Sequence, residues 1–146
     1  MTLIELIVAC TIMMLLAGMA VPIARGRVRR EKERDLRRAL DEIRHAIDQY
    51  KDHADKGEFG PLKVGTEGYP ETLESLVDGV KIANQVDKKL KFLRRIPLDP
   101  MTNTREWGKR SMQDDPKSTA WGGQNVFDVF TTSYDKARDG TPYAEW

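Results

Sequence analysis

The chain has 146 residues, 32% of them charged, and a formal net charge of +1. That length holds one membrane span and one modest domain. The near-neutral charge gives no reason to expect a nucleic-acid partner, and the single Cys10 excludes an intrachain disulfide.

In chain order, the first predicted element is one nearly continuous helix from about residue 2 to about residue 54. Its opening is greasy on every side. Glu5 is the only charge before Arg25, and residues 6–24 carry none. Uncharged runs of about eighteen or more residues read as membrane-spanning helices. A secretory signal peptide should instead begin with a basic segment and carry a shorter apolar run. Pro22 should bend the helix or loosen a turn, while Gly18 and the alanines permit close helix packing. An ordinary single-span anchor accounts for everything here except Glu5. A carboxylate in lipid costs roughly 2.5–3.5 kcal/mol or more and should have a partner. The nearest candidate is an α-amino group at the start of the chain, its own or a neighbouring copy's.

The string Met1-Thr2-Leu3-Ile4-Glu5-Leu6-Ile7-Val8-Ala9 closely resembles the mature N-terminus of type IV pilins and of the pseudopilins of type II secretion systems. The resemblance implies that a prepilin peptidase removes a leader ending in glycine, and that Met1 is the N-methylated first residue, where Phe is usual. It implies that Met1 is not an initiator and that a leader precedes this sequence. It also places Glu5 at the family's assembly glutamate.

From Arg25 the helix becomes amphipathic, with Val28, Leu36, Leu40, Ile43, Ile47 and Tyr50 on one apolar stripe. Arg25, Arg27, Arg29, Arg30, Lys32, Arg34, Arg37 and Arg38 follow the apolar run directly. The positive-inside rule would leave them in the cytoplasm; the resemblance implies export, with compensating basic residues in the leader. Lipid headgroups, acids of adjacent subunits, or water are the candidate neighbours of these cations.

Gly57, Gly60, Pro61, Gly65, Gly68 and Pro70 mark a loop that ends the long helix. A short helix follows Tyr69-Pro70, with Leu73, Leu76, Val77 and Val80 on one face and Gly79 closing it. Residues 81–89 are polar and ambiguous. Leu90, Phe92, Leu93 and Ile96 return to the core before the turn at Pro97-Leu98-Asp99-Pro100. Short strands are expected at 105–109, around Trp107, and at 126–131, where Phe127, Val129 and Thr131 alternate against Asp128 and Phe130. The fold class is therefore α+β: a long N-terminal helix, membrane-spanning then amphipathic, packed on a small domain with a short helix and antiparallel strands. Its segments are 1–24, 25–56 and 57–146.

Within the pilin-like superfamily the layout is most similar to the major pseudopilin of type II secretion. Tyr69-Pro70, Phe92-Leu93 before Ile96-Pro97, Asp99-Pro100, the Phe127-Asp128-Val129-Phe130 string and the late Trp146 carry that likeness. Residues 79–89 and 108–123 match weakly. Subfamily members bind calcium in the C-terminal loop, which implies Ser133, Asp135 and Asp139 as ligands here. Two carboxylates, hydroxyls and free carbonyls suit a hard cation. An Asp-Gly turn closed by its own hydrogen bonds, with Lys136 and Arg138 pairing the acids, reads the same residues without a metal. Asp114-Asp115 is a second acidic turn.

No catalytic constellation is legible. His45 and His53 are eight residues apart on a helix, too far for a shared metal, and no nucleophile string, phosphate-cradling glycine loop or CxxC motif occurs. An enzyme is not expected. The resemblance implies a homo-oligomeric helical filament that assists protein export. Its partners would be the inner membrane, prepilin peptidase, an assembly platform and minor pseudopilins. The subunit would wait in the bacterial inner membrane with a periplasmic domain, then enter a periplasmic pseudopilus or an extracellular filament. An extracellular type IV pilus shares the whole N-terminal argument. A single-span, membrane-anchored periplasmic binding domain would work as a monomer and leave Glu5 unexplained.

Overall fold

A computed structural model describes residues 2–85 and 87–146. Helix α1 spans Leu3–Asp55, 53 residues without a break at Pro22. Proline removes the N–H that would reach back four residues, and its ring crowds the carbonyl there. Gly57, in the left-handed region at φ 74°, follows the helix end.

Contacts divide the chain into two compact units, Met1–Asp35 and Leu36–Trp146. In the first, every described residue is exposed apart from the half-buried Glu33, and this includes Leu3, Ile4, Leu6, Ile7 and Ile12. The second is a small domain built around the remainder of α1. Leu36, Leu40, Ile43 and Ile47 recur at intervals of three and four, and each is at most 1% exposed. Ala39, Ala46 and Ala54 fill the same face. These helix residues meet Leu73, Leu76, Leu93, Trp107, Val126, Val129 and Tyr143 in one cluster. Burying a side chain of that size contributes about 1.5–3 kcal/mol. The stripe therefore starts at Leu36. Val28, expected on it, is 54% exposed, and Tyr50 packs at the cluster's edge.

After the loop, α2 covers only Glu74–Asp78. Leu76 is its buried residue, and its main-chain oxygen receives the N–H groups of Phe92 and Leu93 at 2.9 and 3.0 Å. Gly79 ends it at φ 87°, and a Cβ there would stand 2.9 Å from the Leu90 carbonyl oxygen. Only glycine fits both demands. The ambiguous stretch then resolves into β1 (Val80–Lys81) paired antiparallel with β2 (Lys89–Leu90). A second antiparallel pair joins β3 (Gly108–Arg110) to β4 (Asp128–Phe130), with Lys109 opposite Val129. A 3-10 turn at Tyr143–Glu145 closes the domain.

The alternation expected along 126–131 does not hold. Phe127 is 44% exposed and meets Tyr69 edge-on at 5.1 Å, whereas Val126, Val129, Phe130 and Thr131 are all buried. Strict alternation needs one wet face. The Phe130 face is instead roofed by the Arg110 guanidinium, 4.1 Å above its ring, and the ring fills the place of the side chain Gly108 lacks.

Candidate functional site

The N-terminal end of α1 is the candidate assembly surface. It is long and apolar enough to cross a membrane, and 0% of its most apolar window is buried. A soluble protein rarely leaves so much contiguous apolar surface without a partner or a membrane. An added Cβ would meet nothing within 4 Å at Gly18 or Gly26, so neither glycine is required by a neighbour in the chain.

Glu5 has a role there that its charge alone did not suggest. Its Oε2 accepts the Thr2 main-chain N–H at 3.3 Å, while Thr2 Oγ1 accepts the Glu5 N–H at 3.4 Å. Thr2 precedes the first helical residue and Glu5 is the third. This is a reciprocal capping box, in which two otherwise orphaned helix-end donors are satisfied. The Thr-x-x-Glu spacing of Thr2 and Glu5 is the sequence signature of such a box. In an apolar surrounding those donors have no water to turn to, so the cap matters more there. Met1, the expected methylation site and a source of the partner amine, lies outside the described residues.

The C-terminal loop holds the three residues tied to calcium. Asp139 Oδ1 accepts the Thr141 N–H at 2.9 Å, Ser133 Oγ accepts the Asp135 N–H at 3.2 Å, and Asp135 is exposed. The main-chain N–H of Thr141, then its hydroxyl, holds the Asp139 carboxyl below its ordinary value of 3.8. The donors are hard oxygens and Asp139 stays ionised, which suits calcium chemically. No group of three or more His, Cys, Asp or Glu residues gathers anywhere among the described residues. Main-chain bonds from Ala137 to Thr141 and from Gly140 to Ala137 close the turn by themselves.

The second acidic turn is also closed locally. Asp114 Oδ2 accepts main-chain N–H groups from Ser111 at 2.7 Å and Gly122 at 3.0 Å. Those bonds, Gly122's first, hold its carboxyl below the usual 3.8.

The structure brings together polar groups that no local pattern revealed. Asp128 binds Arg44 Nε through Oδ1 at 2.7 Å and Arg110 Nη1 through Oδ2 at 3.4 Å. Arg44 Nη2 also reaches the main-chain oxygens of Val129 and Trp146, and Arg110 those of Ser118 and Ala144. The network pins β4 to α1 and to the last turn. Asp99, fully buried, accepts the Met101 N–H and the Thr131 hydroxyl. His53, half-buried, pairs with Glu58 at 2.7 Å beside Phe59 and Phe92, and the exposed His45 touches Gln49. Trp107 is in the core, its Nε1–H donated to Pro97. These are structural roles.

No protein-family profile, curated protein or solved structure matches the chain. The long apolar N-terminal helix, continued into a small domain with antiparallel strands, is consistent with a pilin-like fold.

Proposed function

We propose that this chain is the structural subunit of a pilin-type filament, the major pseudopilin of a type II secretion system, which helps move folded protein out of the cell. The observation that carries the reading is the uncovered apolar helix with Glu5 at its start. Before assembly the helix sits in the inner membrane with the domain in the periplasm. During assembly Glu5 of an incoming subunit meets the N-terminal amine of a copy already in place, and each charge relieves the other's cost in an apolar surrounding. The apolar faces then bury one another as the helix leaves the lipid, with an assembly platform and minor pseudopilins guiding the step. No catalytic group enters this mechanism.

Cryo-electron microscopy of material from cells making the native protein, with intact-mass analysis, tests it. A helical core of packed N-terminal helices and a methylated Met1 are expected. Processed protein that never polymerises, even when overproduced, would overturn the reading in favour of an anchored monomer.

Calcium belongs to the same proposal, with Ser133, Asp135 and Asp139 as the ligands. Calcium at about 1 mM, in the range extracellular modules use, should raise the thermal midpoint of the native protein and leave Asp135→Ala/Asp139→Ala unmoved. An equal midpoint with and without calcium would remove the metal from the mechanism.

A further inference from the structure

We infer that the basic segment following the apolar run is a collar for anionic phospholipid headgroups, which grips the leaflet on the domain's side until the subunit is extracted. The inference rests on the reading of residues 3–24 as a membrane span.

Spacing comes first. Residues 6–24 are nineteen uncharged positions, which at 1.5 Å each cover about 28 Å of helix. That nearly matches a hydrocarbon core of roughly 30 Å. Arg25 and Arg27 then fall in the headgroup layer, about 5–7 Å thick on each side. Arg30, Lys32 and Arg34 stand up to about 15 Å past the hydrocarbon edge, where long side chains reach back to the same surface. The helix does not break between the two segments. Six cations stand here against only Glu31 and Glu33. Arg29 is paired with Glu33 at 3.5 Å. Arg25, Arg27, Arg30, Lys32 and Arg34 are exposed and make no hydrogen bond or ion pair with any described residue.

Direction separates lipid from protein as the partner. At about 100° per residue, Arg25 and Lys32 share one side of the helix. Arg27 and Arg34 share the opposite side, and Arg30 lies towards the second pair. A docking surface for acids on another subunit would gather its cations on one face. A single helix standing in a bilayer meets headgroups on all sides, so cations on two opposite sides of it are all used. Guanidinium forks also match phosphate oxygens in pairs, which favours the arginine bias of the ring.

The test uses the full chain in phosphatidylcholine vesicles. Spin-labelled phosphatidylglycerol or phosphatidylcholine is added as probe, and electron spin resonance reads how much of each is immobilised against the protein. At about 0.01 M salt, phosphatidylglycerol should be preferred at least about fivefold, the factor a single cation near an anionic surface supplies. At about 1 M salt the preference should collapse towards unity. Changing Arg25, Arg27, Arg30, Lys32 and Arg34 together to Gln should abolish it at low salt, whereas changing the four arginines to Lys should keep most of it. No preference in the native chain, or full preference in the Gln variant, overturns the collar. Cross-linked oligomers in pure phosphatidylcholine that the Gln variant loses, with no lipid preference, would assign the cations to a second copy instead. An alkaline wash of the same vesicles keeps the two readings apart. Protein that stays bound but shows no lipid selectivity refutes only the collar; protein washed away refutes the span and the collar together.

Discussion

At the residue scale, Glu5 carries two explanations that predict different mutants. As a helix cap it needs only an acceptor that can reach back to the Thr2 N–H, and glutamine serves that position in a capping box nearly as well as glutamate. As the partner of an amine it needs its charge. Glu5→Ala should leave the domain folded and stop filament formation on either account. Glu5→Gln separates them: filaments at the native level would make Glu5 a cap and nothing more, while their loss would establish charge pairing. Thr2→Ala supplies the converse, since it weakens the cap by roughly 0.5–2 kcal/mol and keeps the carboxylate. Counting filaments by electron microscopy beside a circular-dichroism check of folding reads all three.

Asp114 makes a prediction about acid. Gly122 and Ser111 donate main-chain N–H groups to its ionised form and lower its folded value below 3.8. Stabilisation from this group is therefore fully present above the unfolded value. It is lost as the pH falls through the lower, folded one. In Asp114→Asn the gap in unfolding midpoint to the native protein should be widest above pH 3.8 and close as the pH drops below it. Tryptophan fluorescence during urea titration at several pH values measures this. A gap independent of pH would mean that the side chain acts by shape, not charge.

At the scale of elements, legibility followed periodicity. The long helix was readable because an uncharged run of spanning length passes directly into a stripe at helical spacing, and its end was marked by glycine. The stripe was misplaced only at Val28, since spacing identifies a face but not how far along it a domain extends. The ribbon of β3 and β4 was located within a few residues, yet its faces were misassigned. Two strands of three residues are too short for a burial period to emerge. What covers each face was decided by Arg110 and Gly108, distant in sequence from Phe130. Gly108→Ala tests that packing. Its new methyl group would sit 2.3 Å from the Phe130 ring, and displacing a packed ring costs about 1–3 kcal/mol. A midpoint unchanged by this substitution would show that the ring is free to move aside.

At the scale of the whole molecule, the candidate site was legible because it is a contiguous stretch of chain. Glu5 and the apolar run need no tertiary structure to be recognised, and the cations of the collar lie in sequence order. The Arg44–Asp128–Arg110 network was invisible for the opposite reason. Its members are brought together across 84 and 18 residues, and each alone reads as an ordinary surface charge. Function written along the chain and stability written across it should then respond separately to mutation. Ile43 is fully buried in the domain core, and its truncation to Ala should cost about 2–5 kcal/mol. Val28 is 54% exposed, so Val28→Ala should change the domain's unfolding by no more than about 0.5 kcal/mol. If copies pack along α1 past its apolar run, Val28 belongs to the surface they bury, and in Val28→Ala filament yield should fall while the unfolding midpoint stays put. Urea unfolding followed through Trp107, paired with filament counts for both variants, measures the two responses. A Val28→Ala midpoint that drops with that of Ile43→Ala would join the two segments into one stability unit and remove the basis for treating assembly as independent of the domain's fold.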